Sequence, residues 1–299
     1  MAAERVRIAA HAKVNLFLRI LAREASRGYH QIETAFALLE LADELVATRT
    51  RAGVTLAVQG PDLGPPDDNL AVRAAKAVLE ATGNSFGVAL ELTKRIPVRA
   101  GLGGGSSDAA AALHAVNALA HNAVPRHELL HFAARLGADA AFFASGAPAA
   151  VGWGRGERLF RLEPPPAAPT LVAVPPVGVA TSDAYRWWDE LHAEAAVRGP
   201  VVLDGAAFDA WGSVGRLGGN DLEAPIFGKH PALRALYERL AQTYPYWVRL
   251  CGSGSAVAAV YASERLRDDA AMMLGEQQQQ LIKTMTRAVA APGPETDIG

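Results

Sequence analysis

The sequence predicts an α+β chain of two domains. The chain has 299 residues, half of them hydrophobic, enough for two sizeable cores. Segments with the two-residue period of strands are interspersed with helical segments from one end to the other. A proline-rich stretch, EPPPAAP (163–169), reads as a linker. These observations place one domain over 1–160 and a second over 161–299, with a frayed tail from 292.

The first element is RVRIAAHAKVNLFLRI (5–20). Val6, Ile8, Ala10, Ala12, Val14, Leu16, Leu18 and Ile20 share one strand face, and Arg7, His11, Lys13, Asn15, Phe17 and Arg19 share the other. Lys13 and Asn15 then project side by side, either on a solvated outer face or as a functional pair. Arg27 and Gly28 suggest a turn, after which Tyr29 and His30 open a second strand. Residues 44–49 and 54–58 read as a hairpin around Arg51, Ala52 and Gly53. GPDLGPPDDN (60–69) is a loop, and Asn69 caps a helix that stops at Gly83.

VALELTKRIPV then leads into RAGLGGGSSDAAAA, where four glycines (Gly101, Gly103, Gly104, Gly105) fall within five residues. Strand, glycine loop and helix follow one another. That order aims backbone N–H groups and the positive end of a helix dipole at one spot, which suits phosphate. The loop is no Walker A sequence, because no Gly-Lys-Ser/Thr closes it, and Ser106 stands where a dinucleotide fingerprint needs its third glycine. A ligand-free reading also exists, in which the SSD triplet caps the helix. Pro125 starts the next helix, and Gly137 ends it. Asp139 follows in GADAAFFASG, where apolar neighbours make a carboxylate costly unless it is paired or capping.

Two short strands are expected over 147–162. The second half opens with the strand TLVAVPP and a helix capped by Thr181 or Ser182, which carries Tyr185, Trp187 and Trp188. Asn220 and Asp221 follow a Gly-Gly turn and could cap the helix behind them. HPALRALYERLAQT is an amphipathic helix. RLCGSGSAVAAVY (249–261) is a second glycine-serine loop after an apolar strand, and residues 268–290 read as a last helix with a solvated Gln run.

Composition excludes several classes. Net charge is −2, so no basic excess favours nucleic acid or an anionic membrane. No apolar run reaches the roughly 18 residues of a membrane span. The N-terminus has no apolar signal core, and the single cysteine, Cys251, fits a reducing compartment, so a cytoplasmic location is expected.

Taken together, AKVNLFLRI (12–20) with GYHQIET (28–34), PVRAGLGGGSSDAAAAL (97–113), GADAAFF (137–143), NDLE (220–223) and RLCGSGSAVAAVY resemble the GHMP kinases over nearly the whole chain. The first pair is similar to the branch that acts on a cytidine diphosphate-linked methylerythritol in non-mevalonate isoprenoid synthesis. The chain departs from the family in having Ala140 after the GAD aspartate, where Pro is frequent, and Cys251 where a small or hydroxylated residue is common.

The resemblance implies a ribosomal protein S5 domain 2-like first domain and a ferredoxin-like second one, with the site in the cleft between them. It implies ATP-dependent phosphorylation of a 2-hydroxyl on that substrate. The triphosphate would lie on Pro97, Val98, Arg99, Ala100, Gly101, Leu102, Gly103, Gly104, Gly105, Ser106 and Ser107. Asp139 would act as base or orienter of the hydroxyl and Lys13 as its partner. Tyr29 and Tyr185 would flank the pyrimidine, His30 would bond its edge, and Asn15 would position the rest of the substrate. Gly252, Ser253, Gly254 and Ser255 would close the site. Mg2+ would bridge the nucleotide phosphates with few or no protein ligands. No nucleic-acid or membrane partner is implied, and the chain would be a monomer or homodimer. Two other readings stay open: a kinase for another small alcohol, and a nucleotide-binding sensor without catalysis.

Overall fold

Two long strands carry the molecule. In the computed structural model, which describes residues 4–23, 29–192, 204–275 and 279–297, β1 (Arg5–Arg23) and β2 (His30–Thr50) pair antiparallel from Arg5↔Thr48 to Arg23↔His30. The turn expected at Arg27 and Gly28 lies outside the described residues. Register shifts between His11 and Lys13, Asn15 and Phe17, and Ile20 and Ala22 interrupt the alternation. Every residue from Ala10 to Leu18 is buried. The solvated-face reading of Lys13 and Asn15 is therefore wrong. Helices cover one side of the strand pair and the second domain covers the other, so both faces become interior.

Further strands of the first sheet are β3 (Val54–Gln59), β4 (Gly87–Thr93), β5 (Ala149–Gly154) and β6 (Arg158–Arg161). The expected hairpin of β2 and β3 does not form. β4 inserts between them, antiparallel to β2 and parallel to β3. The physical reason is burial: Val88, Leu90 and Leu92 of β4 are core residues, whereas β3 is largely exposed and suits an edge. The crossover is α1 (Leu70–Ala81), whose cap is Asn69, with Oδ1 accepting from the Ala71 N–H at 2.9 Å. Next come α2 (Gly104–Leu119), α3 (Arg126–Leu136) and α4 (Ala138–Ser145). Alanines of α1 and α2 pack on Val6, Ile8 and Ala10 of β1 and on β4.

The second sheet takes β7 (Pro169–Val174), β8 (Trp247–Leu250), β9 (Val257–Val260) and β10 (Gln280–Met285), all antiparallel. Their order, β10-β7-β9-β8, is fourth-first-third-second, the ferredoxin-like arrangement. Its helices are α5 (Thr181–Leu191), α6 (Trp211–Val214), α7 (Glu223–Lys229), α8 (Pro231–Ala241) and α9 (Glu264–Leu274). Ala180 caps α5 without a side-chain bond, so neither Thr181 nor Ser182 is its cap. The single last helix is also corrected. Gly275, with φ 64°, ends α9, and the chain returns as β10 beside β7. Gln279, expected on a solvated face, is buried and its amide donates to the last carbonyls of α9, Leu274 and Gly275.

The expected frayed tail instead forms β11 (Glu295–Asp297), paired with Arg5–Arg7 of β1. Between the sheets, Ala12, Val14, Leu16, Phe17, Ala37 and Leu39 share one core with Trp211, Trp247, Ala258 and Val260. Trp247 Nε1 donates to the Leu16 carbonyl at 2.9 Å. Among the described residues no helix is long and apolar enough to cross a membrane.

Candidate active site

The glycine loop closes on the start of α2. Gly103, with φ 75°, is the cap residue and offers no side-chain hydrogen bond. The SSD triplet thus lies inside the helix rather than capping it, and the free N–H groups of the first turn keep their capacity for an anion. Gly101 and Gly103 are required by the backbone. Both have positive φ, and a Cβ would stand 1.8 Å from the Cys251 carbonyl oxygen at Gly101 and 2.8 Å from the Phe143 ring at Gly103. Gly105 differs: nothing lies within 4 Å of its Cβ position, and it is exposed at the mouth of the loop. A side chain there would fill the cradle rather than strike protein.

Lys13 reaches this loop from β1, where its N–H donates to Leu102 O at 3.0 Å. Its Nζ lies 3.3 Å from Asp139 Oδ2 and donates to Asn15 Oδ1 at 2.7 Å. Asn15 Nδ2 donates to Thr34 Oγ1 at 2.8 Å, and that hydroxyl donates to Phe17 O. Lys13 and Asn15 are almost fully buried, whereas the Asp139 side chain keeps 35% exposure in the first turn of α4. The chain therefore buries its ammonium beneath a carboxylate that stays accessible.

The second domain supplies the opposite wall. Cys251 and Gly252 lie against Gly101, and a Cβ on Gly252 would come within 3.2 Å of Lys13 Nζ. Ala256 N–H donates to Ala100 O at 3.1 Å. Asn220 Nδ2 donates to the Leu250 and Gly252 carbonyls, fixing this glycine-serine loop, while its Oδ1 accepts from Leu222 N–H. Asp221 accepts from Ile20 N–H at 2.8 Å and so ties the domain to β1. Ser253 pairs with Thr181 through their hydroxyls. Burial pushes the Cys251 thiol up to about 12, so it is unreactive here.

At the far end of the strand pair, the exposed Tyr29 ring carries the Arg155 guanidinium 3.7 Å from its centroid. His30 stacks on Tyr185 with centroids 4.7 Å apart and 24° between planes. Burial, together with the Asp139 charge, pushes the Tyr185 phenol up.

The structure brings together Lys13, Asn15, Asp139, the loop and Gly252, and separately groups His30 with Tyr185. Ser107 stands apart from both. Its side chain is buried in a cavity of about 140 Å³ between α2, β1 and the tail, and its N–H is spent on Gly103 O.

Some site residues had no signal in the sequence. Lys94 Nζ bridges Asp43 and Asp108, the latter at 2.7 Å, and Asp43 Oδ1 also accepts from Ile96 N–H. These three residues brace the two ends of the glycine loop. Burial drives the Asp108 carboxyl up to about 7, against the pull of Lys94 and with the push of Asp43. Thr34 could have been found through GYHQIET, but Asp43 and Lys94 look like ordinary surface charges in the sequence.

Comparison with known proteins agrees with this frame. The GHMP kinases N terminal domain matches residues 69–148, and GHMP kinases C terminal matches 206–278. A homoserine kinase from Cytophaga hutchinsonii, 17% identical, shares the fold with a TM-score of 0.68 over 98% of this chain and 97% of its own. Fold and loop thus define a GHMP kinase.

Nearer relatives are named 4-diphosphocytidyl-2-C-methyl-D-erythritol kinase. That of Solibacter usitatus is 37% identical over 283 residues, covering 92% of this chain and 87% of the relative. That of Moorella thermoacetica is 37% identical over 281 residues, covering 93% and 97%. A crystal structure of 4-(cytidine 5'-diphospho)-2C-methyl-D-erythritol kinase superposes with a TM-score of 0.78 at 36% identity, covering 94% and 98%. The chain belongs to the 4-diphosphocytidyl-2-C-methyl-D-erythritol kinase family.

Proposed function

We propose that the protein transfers the terminal phosphoryl group of ATP to the 2-hydroxyl of 4-diphosphocytidyl-2-C-methyl-D-erythritol. The observation that carries this reading is the Lys13–Asp139 pair, 3.3 Å apart at the glycine loop, in a chain that matches kinases of that name over most of its length. Phosphoryl transfer asks for positioning and charge compensation more than covalent chemistry. The first turn of α2 and the loop from Pro97 to Ser106 bind the phosphates through backbone N–H groups. Asp139 accepts the hydroxyl proton or orients the hydroxyl for attack. Lys13, held by Asn15, offsets charge on the transferred group.

On the same reading, Tyr29 and Tyr185 hold the pyrimidine between rings, and His30 bonds its edge. Gly252 to Ser255 cover the reacting end. Mg2+ would shield the phosphate charge. It would be held mainly by nucleotide oxygens and water, with few protein ligands, and the accessible Asp139 carboxylate would be able to contribute one. A cytoplasmic location accompanies this proposal, supported by the single buried thiol.

Acceptor assays with ATP test the reading. Turnover is expected with the cytidine compound and not with homoserine or mevalonate. The reverse pattern would remove the assigned substrate, and no turnover on any acceptor would leave a nucleotide-binding sensor.

A further inference from the structure

His30 is held on three sides. Tyr185 stacks on its face, Trp188 meets it edge-on with centroids 5.7 Å apart, and Asp189 Oδ1 lies 2.7 Å from Nε2. All three partners come from α5, so one helix sets both the plane and the edge of the ring. A carboxylate only accepts hydrogen bonds, so Nε2 carries the proton in this pair. The other Asp189 oxygen already faces a cation, with Arg23 Nη1 3.4 Å away. Among the described residues the ring makes no other hydrogen bond, so Nδ1 is left as a lone-pair acceptor.

We infer that Asp189 makes the site selective for cytosine over uracil by locking His30 in the tautomer whose Nδ1 accepts. This rests on the proposed cytidine substrate and names what reads it. Cytosine offers a 4-amino donor that Nδ1 can accept from. Uracil offers a 4-carbonyl, and two acceptors facing each other in a partly desolvated slot are both left unpaired. Asp189 does not touch the base. It is a positioning residue that acts through His30.

The test compares the cytidine and uridine diphosphate forms of methylerythritol as acceptors. Wild type is expected to prefer the cytidine form by at least about 10²-fold in kcat/KM. Asp189→Asn can turn its amide to donate to Nε2, which frees the ring to reverse its tautomer. It is expected to lose at least about tenfold of that preference through the KM for the cytidine form, with kcat within about twofold of wild type. Asp189→Glu, which can only accept, is expected to keep most of the preference. Nitrogen-15 spectra of the His30 ring in wild type should show protonated Nε2 and bare Nδ1.

An Asp189→Asn enzyme with the wild-type preference overturns the inference. So does a wild-type ring protonated at Nδ1. Equal loss in the Asn and Glu variants, with a matching fall in Tm, marks a merely structural role and also overturns it. A wild type active on the cytidine form but indifferent to the base overturns this inference alone. A wild type inactive on both forms overturns the parent reading as well.

Discussion

Lys13 and Asp139 show how residue type and residue position contribute separately to chemistry. Each is unremarkable in its own segment, and only the fold sets them 3.3 Å apart with Asn15 holding the ammonium. A positioned base typically contributes about 10²–10⁴-fold to such a transfer. Asp139→Asn is therefore expected to lower kcat by at least about 10²-fold while the KM for ATP stays within a few-fold. A kcat near wild type would remove Asp139 from its role.

Asp108 gives a second prediction at this scale. Its folded carboxyl titrates near 7, well above the ordinary 3.8. The native state therefore holds a proton that the unfolded chain has lost. The stability so contributed is full below about pH 4 and disappears as pH rises through about 7. Asp108→Asn keeps an oxygen for Lys94 without the titration. Relative to wild type it should gain at least about 1 kcal/mol between pH 5 and pH 8, measured by urea unfolding. A difference flat across that range would refute the buried-proton account. Asp108 is visible in the sequence as part of GSSD, but its partner Asp43 is remote in the chain and nothing local marks it.

At the scale of elements, the glycine loop was the most legible feature, because glycine clusters have few structural uses. What the sequence did not reveal is that its glycines do different jobs. Gly101 and Gly103 serve the backbone, and Gly105 leaves room. Gly105→Ala should leave Tm unchanged or slightly raised, since alanine suits a helix start better than glycine does. It should raise the KM for ATP by about tenfold or more, because the methyl group enters the space assigned to phosphate. Gly101→Ala should instead lower Tm, its methyl colliding with the Cys251 carbonyl. Equal Tm losses in the two variants would show that Gly105 is structural too.

The misread elements share a cause. β3 and β10 are short and amphipathic, and the partner of the first and the identity of the second depend on which strand or glycine stands next to them. β4 displaced β3 from its expected partner because it has more apolar surface to bury. Gly275 turned an expected helix into a strand because the chain reverses there onto β7. Neither competition is local, so periodicity alone does not resolve it.

For the whole molecule, the two-domain α+β frame was legible through length, linker and resemblance. The interface was not. Ala12, Val14 and Leu16 read as one face of an ordinary strand, but they meet Trp247 and Val260 of the other sheet. Trp247 anchors that seam with its ring buried and its Nε1 on Leu16 O. Trp247→Ala is expected to cost about 3–5 kcal/mol of stability, measured by denaturant unfolding. A loss under about 1 kcal/mol would mean that the domains barely depend on one another.

The tail strand also has a practical consequence. Arg5 stands opposite Asp297 on neighbouring strands, so the first and last described elements run side by side. Joining residue 297 to residue 5 through a few glycines would close the backbone into a ring with little distortion. The ring could then be reopened at an exposed turn such as the one holding Gly53, where added atoms meet nothing within 4 Å. Such a circular permutant should fold and keep its catalytic cleft, with new ends far from it, as sites for fluorophores or surface attachment.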